Sequence, residues 1–277
     1  MKLLNFGCGS TFHPDWVNLD TAPVSTQVIA HDLRRGFPFA DETFDVVYGS
    51  HVLEHLEPAE AIRLLNECFR VLKPNGIVRV VIPDLETIVR LYLLSLEGAL
   101  AGDGDAQVRY DWMILELYDQ TVRRSSGGEM GIFLASKLDQ KQASFVASRI
   151  GDEGTCRTSG PAPSSTLPVL LYRRGRAALS KLRGLVAGAC AFLILGTEGW
   201  RALREGMFRR SGEVHQWMYD RFSMRRALEQ ARFADVRSRA AGESDISGFA
   251  GYQLETRNGQ VRKPDSLFME GRKPGRP

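Results

Sequence analysis

The residues best suited to do chemistry begin near the amino terminus. Gly7-Cys8-Gly9 forms a Gly-x-Gly turn directly after a predicted first strand, and Asp20 closes the second predicted strand 11 residues after Gly9. Glycines in this place let the backbone approach a ligand closely, and an acid at the end of the second strand can bind ribose hydroxyls. A dinucleotide fingerprint would need a third glycine where Phe12 stands. The pattern therefore favours a ribose-bearing ligand and weighs against phosphate binding.

A second acid, Asp32, follows the third predicted strand. Because the carboxyl ends of parallel strands meet at one edge of a sheet, we expect Asp20 and Asp32 to line the same edge. Taken alone, either acid is equally compatible with an ordinary loop position. The agreement of both acids with the glycine turn favours a binding site.

A third pattern, HVLEH at 51–55, matches the H-x-x-E-H signature. In zinc peptidases of that type, two histidines on one helix bind the metal and the glutamate, here Glu54, activates water. The alternative function that it predicts is a zinc-dependent hydrolase using His51, Glu54 and His55. That function requires the segment to lie inside a helix, whereas here it follows a strand-like run at 45–48. A five-residue match arises readily by chance, so we expect no metal site.

The elements that must position these residues can be predicted from periodicity. Residues 1–97 alternate short apolar runs with helical spacing, which is typical of an α/β, mostly parallel sheet with helices on both faces. Asp84 is the predicted N-cap of a helix that ends near Glu97, and Ser223 the predicted cap of a late helix that ends at Ala231. A helical insertion precedes the carboxyl-terminal strands. The predicted strands lie at 2–6, 16–19, 27–30, 44–48, 77–82, 235–240 and 266–272.

Several motifs together resemble one family. NFGCGS at 5–10, VNLD at 17–20, HDL at 31–33, FPFADETFDVVYGSHVLEHL at 37–56 and RVLKPNG at 70–76 occur in the order seen in class I, Rossmann-like S-adenosylmethionine-dependent methyltransferases, particularly the type 11 group. The resemblance is strong over residues 3–84, fair over 211–240 and thin between them. One departure is the short stretch 9–16, where the family usually has a full helix.

The resemblance implies a methyltransferase whose cofactor is S-adenosylmethionine. By position, it implies that the cofactor's methionine portion, ribose and adenine contact separate groups of residues. The turn Gly7 and Gly9, together with Ser50 and His51, would contact the methionine portion; Asp20 the ribose hydroxyls; and Asp32 with Leu33 the adenine.

Two histidines are candidates for a catalytic role in such an enzyme. Methyl transfer is an in-line displacement, so much of the catalysis comes from holding the reactants in line. A general base is needed when the acceptor is a hydroxyl or an acidic carbon, and neutral histidine suits that role. We expect His55 or His215 to be the base, with His215 slightly favoured because it lies toward the substrate side. The alternative is that both histidines are structural or surface residues.

The chain is predicted to have three parts. Residues 1–97 form the cofactor-binding core, 98–212 a helical insertion that supplies the substrate subdomain, and 213–277 a helix and strands that complete the core. Aromatic faces and anion-pairing groups in and beside the insertion suit a small-molecule, saccharide or lipid-linked acceptor, although a helical stripe of aromatics is more often core. The residues considered are Tyr110, Trp112, Arg123 and Glu129, and those expected to bind the acceptor are Tyr118, Arg124 and Tyr219.

The composition is that of an ordinary soluble globular protein. The chain has 277 residues, of which 43% are hydrophobic and 25% charged, and a formal net charge of +3. This excludes disordered and fibrous classes. The four cysteines include no C-x-x-C pair, so a reducing cytoplasm is the expected location. No secretory signal and no nucleic-acid-binding module are recognisable, and no nucleic-acid partner is expected.

Charge and hydropathy are unevenly distributed along the chain. Residues 1–100 contain 8 Lys/Arg and 13 Asp/Glu, a net charge of −5, so the remaining residues have +8. The apolar run at 184–196 has 13 residues, fewer than the about 20 of a spanning helix. Two interpretations stay open: contact with an anionic membrane surface at its inner face, and a buried helix with a solvated basic flank. The first also allows a non-catalytic, membrane-associated binding protein. The basic residues before the run are Arg173, Arg174, Arg176, Lys181 and Arg183.

Overall fold

A computed structural model describes residues 1–151 and 167–276, and the side chains of 167–183 are outside the description. The predicted Ser/Pro/Gly loop at 151–166 lies outside the described residues apart from Gly151. Nine strands are described. Seven of them form one sheet in the order β3-β2-β1-β4-β5-β9-β6, and β7 pairs with β8 in a small hairpin. The strands are β1 Leu3–Phe6, β2 Val17–Asp20, β3 Val28–Ala30, β4 Phe44–Ser50, β5 Leu72–Pro83, β6 Ala234–Arg239, β7 Thr256–Arg257, β8 Gln260–Val261 and β9 Ser266–Arg272.

Seven helices are described alongside the strands. Short 3-10 turns also occur at Leu33–Arg35, Leu53–His55 and Phe249–Tyr252. The helices are α1 Pro58–Val71, α2 Leu85–Leu100, α3 Gly104–Val122, α4 Gly128–Ala135, α5 Gln140–Ile150, α6 Leu167–Arg209 and α7 Arg221–Gln230.

The sheet is parallel from β3 through β5, and β9 runs antiparallel to both of its neighbours. Strand β1 lies between β2 and β4, so the chain direction across the sheet reverses at the β1/β4 boundary. Ligands of open α/β sheets bind outside the carboxyl ends of the strands at such a switch point. Gly49 is required there because a Cβ on it would lie 2.1 Å from the Phe6 ring.

Helix α1 shows how local sequence fixes an element beside this edge. Pro58 begins the helix, and Glu57 and Glu60 form a capping box that satisfies backbone N–H groups at its first turn. Leu65 and Cys68 on its apolar face are fully buried in the main core under the sheet. The helix ends at Val71, before the Lys-Pro-Asn-Gly sequence, as predicted.

The predicted fold class is confirmed. Every predicted strand is present within a few residues, although β5 starts at Leu72 and is longer than predicted. Asp84 is the N-cap of α2 and accepts hydrogen bonds from the N–H groups of Glu86 and Thr87. The prediction for Ser223 was wrong. Asp220 is the N-cap of α7, and Ser223 is the third residue of the same capping box.

The helices after the core strands pack around a separate apolar cluster. Trp112 is fully buried there with Ile88, Met113 and Val146. Its indole N–H donates to Glu116 at 2.7 Å, and Arg149 donates to the same carboxylate. Helices α2, α3, α4 and α5 therefore form a small helical layer.

A buried cation joins the last strands to the sheet. Arg79 on β5 is fully buried and donates two hydrogen bonds to Glu255, at 2.6 and 2.5 Å, and one to Glu270 at 2.7 Å. Its guanidinium also lies between the rings of Phe249 and Phe268. Because paired and hydrogen-bonded charges tolerate burial, this cluster fixes the carboxyl-terminal segment against β5.

Candidate functional site

A cavity of about 740 Å³ lies at the carboxyl edge of the parallel strands. Its lining combines residues from the ends of β1 and β4 with residues from the helical layer and the carboxyl-terminal segment. The site residues predicted from sequence that line it are Gly7, Gly9, Ser50, His51, His55 and His215.

The glycine turn forms one wall of this cavity. Gly7 and Gly9 have φ angles of 62° and 53°, a region that side chains disfavour. A Cβ on Gly7 would lie 2.2 Å from the Val52 side chain, whereas one on Gly9 would have nothing within 4 Å. Gly9 therefore leaves open space on the cavity side of the turn.

Asp20 holds the glycine turn in place through hydrogen bonds to backbone N–H groups. Its carboxylate accepts the Gly9 N–H at 2.8 Å and the Ala22 N–H at 2.7 Å, one on each oxygen. The side chain is half-buried and borders the turn, although it is not part of the cavity lining. Its predicted contact with ribose hydroxyls stays a prediction.

Asp32 and Leu33 lie farther from the cavity. Asp32 is exposed and caps the 3-10 turn at Leu33–Arg35, accepting the Arg34 N–H at 3.1 Å. Leu33 packs against the main core. Neither residue lines the 740 Å³ cavity, and their predicted contact with adenine stays a prediction.

His51 occupies an unusual backbone position at the end of β4. Its φ is 54°, which is uncommon for a residue with a side chain and is typical of functional sites. Its Nε2 lies 2.8 Å from the Ser266 hydroxyl. Its Nδ1 lies 3.1 Å from Glu54 Oε1. Both ring nitrogens thus have defined partners.

Glu54 is a fully buried carboxylate surrounded by imidazoles. Burial opposes its ionisation, but His51 in contact with it, together with His55 and His215, lowers its pKa to about 2. The carboxylate is therefore ionised at neutral pH. A buried anion beside a histidine resembles the carboxylate that orients the histidine of a catalytic triad and stabilises its protonated form.

His55 and His215, the two histidines predicted as candidate bases, lie next to each other in the structure. Their rings meet edge to face with centroids 4.8 Å apart. The Glu54 carbonyl accepts the Gln216 N–H at 2.7 Å, which holds the His215 segment against the 3-10 turn of His55. Burial, and then repulsion by His55 and His51, outweighs attraction to Glu54 and lowers the pKa of His215 to about 3. His215 is therefore neutral at physiological pH.

The segment 51–55 does not have the geometry of a zinc-peptidase motif. His51 ends a strand and His55 lies in a 3-10 turn, so the two histidines do not share an α-helix. Among the described residues, the group of three side chains whose donor atoms all lie close enough together to hold a metal ion, within 4.8 Å of one another, is Glu54, His55 and His215. His51 is held instead by Ser266 and Glu54.

A second cavity of about 500 Å³ adjoins the first. Its other walls come from helices α3, α4 and α5 and include Trp112, Met130 and Leu134. Five residues line both cavities: Ser10, His51, Gln120, Arg123 and Lys263.

The three predicted acceptor-binding residues lie outside both cavities. Tyr118 is exposed on α3, and Arg124 is exposed with an ion pair to Glu205 at 3.6 Å. Tyr219 is buried in the main core, where burial and the nearby Glu54 raise its pKa to about 12. Their role stays a prediction. Two other residues of this region line the 740 Å³ cavity instead: Gln120, near the end of α3, and Arg123, which directly follows α3.

Several lining residues have no signal in the sequence. Arg262 and Lys263 reach the cavity from the segment before β9, and Arg262 donates to the Thr11 hydroxyl at 3.0 Å. They lie at this edge because β9 is antiparallel, so its start at Ser266 is level with the end of β5. Glu213 also lines the cavity and binds Arg123 at 3.2 Å.

A known protein family matches the part of the chain that forms this edge of the sheet. Residues 4–80 match the family described as methyltransferase domain. Residues 4–80 therefore form a methyltransferase domain. The resemblance predicted from the motifs is confirmed, and the cofactor of this methyltransferase domain is S-adenosylmethionine.

Solved structures give partial likenesses. An S-adenosylmethionine-dependent methyltransferase from Archaeoglobus fulgidus is 12% identical, with 98% of this chain and 86% of that one covered at a TM-score of 0.37. The [4+2]-cyclase SpnF is 24% identical over 29% of this chain and 38% of its own, at a TM-score of 0.24. The PH0226 protein of Pyrococcus horikoshii OT3 is 25% identical over 32% of this chain and 53% of its own, at a TM-score of 0.26. The chain thus spans less than two thirds of the latter two. No curated protein matches it significantly.

Proposed function

We propose that the protein transfers a methyl group from S-adenosylmethionine, bound in the 740 Å³ cavity, to a hydroxyl-bearing acceptor in the adjoining cavity. The observation that supports this most directly is that His51 and Gln120 line both spaces. One space is bounded by the glycine turn of the methyltransferase domain and the other by the helical insertion. In-line transfer needs two ligands held at close range in this way.

The residues present fit the cofactor. The cavity volume lies within the range of about 300 to 1,000 Å³ typical of small-molecule sites. Gly9 leaves its side of the turn open, and Ser50 offers a polar group at the end of β4. Asp20 fixes the Gly9 amide and keeps further lone pairs on its carboxylate. When bound, S-adenosylmethionine supplies an electrophilic methyl group.

The second cavity suits a neutral, hydroxyl-bearing acceptor. Arg123 is already paired with Asp119 at 2.7 Å and with Glu213 at 3.2 Å, so its charge does not require an anionic ligand. Gln120 and Asp265 offer polar groups, and Trp112 an apolar wall. This mixture matches a small molecule or a saccharide, free or attached to a lipid.

His51 is the best-placed proton acceptor for such a hydroxyl. It lines both cavities, and its contact with the ionised Glu54 would stabilise a positive imidazolium. The acceptor hydroxyl would give its proton to Nε2 in place of the Ser266 hydroxyl. His55 lies farther from Glu54, at 4.0 Å, and the lowered pKa of His215 makes it a weaker base. In this proposal, His55 and His215 position Glu54 and form part of the cavity wall.

Ligand-dependent thermal stability tests the cofactor. A ligand that binds the folded state at about a hundred times its Kd adds about 2.7 kcal/mol of stability. We expect S-adenosylhomocysteine and S-adenosylmethionine to raise the melting temperature, and NAD and zinc to leave it unchanged. Stabilisation by NAD alone would refute the proposed cofactor, and stoichiometric zinc in the purified protein would support the hydrolase alternative.

The reaction is tested by incubating the protein with S-adenosylmethionine and a panel of hydroxylated acceptors and measuring the S-adenosylhomocysteine that is released. With an active acceptor, His51→Gln is expected to lower kcat by about 10² to 10⁴-fold, the usual contribution of a general base. His55→Gln and His215→Gln serve as matched variants. One result would refute His51 as the base: a loss of kcat of this size in His55→Gln or His215→Gln, with turnover retained in His51→Gln. The base would then be His55 or His215, as the sequence predicts.

A further inference from the structure

Helix α6 is bent into a hairpin. Gly196 has φ 66° and ψ −157°, which interrupts the helix between an arm at 184–195 and an arm at 197–209. A Cβ on Gly188 would lie 1.8 Å from the Trp200 ring, and one on Gly184 would lie 3.7 Å from Met207. Because residues before the bend contact residues after it in reverse order, the two arms run antiparallel side by side.

The first arm is apolar and faces solvent. It contains no charged residue, and at about 1.5 Å per residue it extends about 18 Å. Leu193, Ile194 and Leu195 next to the bend are 81, 79 and 67% exposed. Leu185 and Phe192 are also more than half exposed. A contiguous exposed apolar surface of this kind marks an interaction site.

The second arm is polar, so the hairpin is amphipathic. Glu198, Arg201 and Arg204 begin two residues after the bend. The stretch Gly184–Arg209 has the length and composition of a membrane span, with 6% of its most apolar part buried. The uncharged run before the bend, 184–195, follows Arg183 and has 12 residues, fewer than the about 20 needed to cross, and the charges of the second arm oppose crossing.

Charge identifies the surface that this hairpin fits. The basic residues Arg173, Arg174, Arg176, Lys181 and Arg183 precede the apolar arm in α6, and Arg209 and Arg210 follow the polar one. Cations flanking an apolar segment favour anionic lipid. A soluble apolar partner would not need them.

We infer that the 184–209 hairpin inserts its bend and apolar arm into the interface of an anionic membrane leaflet, with the polar arm on the water side. This inference does not rest on the proposed function.

The base of the hairpin lies beside the candidate site. Arg209 at the end of α6 accepts a hydrogen bond on its carbonyl from Gln216 at 2.7 Å, and Glu205 pairs with Arg124. Ser211 and Gly212, which follow directly, line the 740 Å³ cavity. The base of the hairpin is therefore connected directly to the wall of that cavity.

Vesicle co-sedimentation of the full chain tests the inference. Vesicles of phosphatidylcholine alone are compared with vesicles that also contain phosphatidylserine. The wild type is expected to sediment with the anionic vesicles. The double variant Leu193→Gln/Ile194→Gln is expected to bind at least about tenfold more weakly, since it removes apolar surface without changing charge. Arg173→Gln/Arg174→Gln/Arg176→Gln is expected to lose the preference for anionic lipid.

A matched control distinguishes an effect of the hairpin from an effect of exposed apolar residues elsewhere on the protein. Leu100→Gln/Ile132→Gln changes residues that are 80 and 64% exposed on α2 and α4, and it is expected to bind vesicles like the wild type. Equal loss in this control, or a wild type that stays in the supernatant with both vesicles, overturns the inference.

Self-association is measured on the same proteins without lipid. A lipid-free dimer that Leu193→Gln/Ile194→Gln dissociates, with no vesicle binding by the wild type, would instead assign the apolar arm to a second copy of the chain. Circular dichroism of each variant shows whether it is folded.

Discussion

Glu54 places a full negative charge in a site from which water is excluded, and the residues around it explain how the fold accommodates that charge. An isolated buried carboxylate is costly, but His51 lies 3.1 Å away and the rings of His55 and His215 complete its surroundings. The cluster connects the end of β4 to the segment after α6. The same four residues thus join packing to the proposed proton transfer.

His215 should make stability depend on pH. Its pKa is lowered to about 3 in the folded protein, against about 6.5 in an unfolded chain. Below pH 6.5 the unfolded chain binds a proton that the folded protein excludes, so stability is fully present above pH 6.5 and falls as the pH drops toward 3. The expected slope is about 1.4 kcal/mol per pH unit. Urea unfolding between pH 7 and pH 5 measures it, above the range where Glu54 titrates.

His215→Gln should flatten this slope, because glutamine takes up no proton in either state. His13→Gln, which removes a histidine outside the cluster, is the matched control. An unchanged slope in His215→Gln would show that another group causes the loss of stability.

Gly7 and Gly9 should respond differently to alanine. Both have positive φ, which costs roughly 1 to 2 kcal/mol for a side chain. In Gly7→Ala the new methyl group also overlaps Val52, so we expect a larger loss of stability. In Gly9→Ala the methyl group enters open space, so the fold should lose only the backbone cost while affinity for S-adenosylhomocysteine falls at least about tenfold. Urea unfolding and ligand titration measure the two effects, and wild-type affinity in Gly9→Ala would contradict binding at the turn.

Among the elements, β5 and β9 depend on Arg79. Arg79→Met leaves Glu255 buried without its Arg79 partner and leaves Glu270 with only Arg239, at 3.4 Å, and breaking a buried pair typically costs about 3 to 5 kcal/mol. The urea midpoint should fall accordingly. Adding Glu255→Gln and Glu270→Gln removes the unpaired charges and should restore part of the loss. A single variant as stable as the wild type would show that the charge cluster does not hold these strands.

The elements that could be predicted are those fixed by nearby sequence. Short apolar runs and turn residues locate the parallel strands, and the glycine turn follows β1 as expected. Local sequence also explains the wrong cap, because Asp220 and Ser223 belong to one capping box and either residue type can begin a helix.

Features that depend on distant parts of the chain could not be predicted. The antiparallel direction of β9, which brings Arg262 to the cavity, depends on pairing with β5 nearly two hundred residues earlier. The segment 51–55 has helical spacing in sequence, yet the positive φ of His51 turns the chain out of the strand. Gly196 bends α6 within an apolar run that has no breaker besides glycine. Long-range contacts decide each of these outcomes.

At the scale of the whole molecule, the net charge of +3 combines two unlike parts. The acidic first hundred residues, with net charge −5, contain the methyltransferase domain, and the remaining chain has +8. The basic part includes the hairpin and adjoins the cavities. An anionic surface would therefore attract the remaining chain, which contains the hairpin, more than the first hundred residues.

Salt should separate the two contributions to vesicle binding. Raising NaCl from 0.1 to 1 M shortens the screening length from about 10 to about 3 Å. The bound fraction on anionic vesicles should fall toward that on neutral vesicles, because the basic residues near α6 are screened. A residual fraction should persist, because insertion of Leu193 and Ile194 does not depend on charge. The rise in melting temperature with S-adenosylhomocysteine should change little, since its contacts are short-range. Anionic and neutral vesicles that bind equally at low salt would contradict orientation by charge.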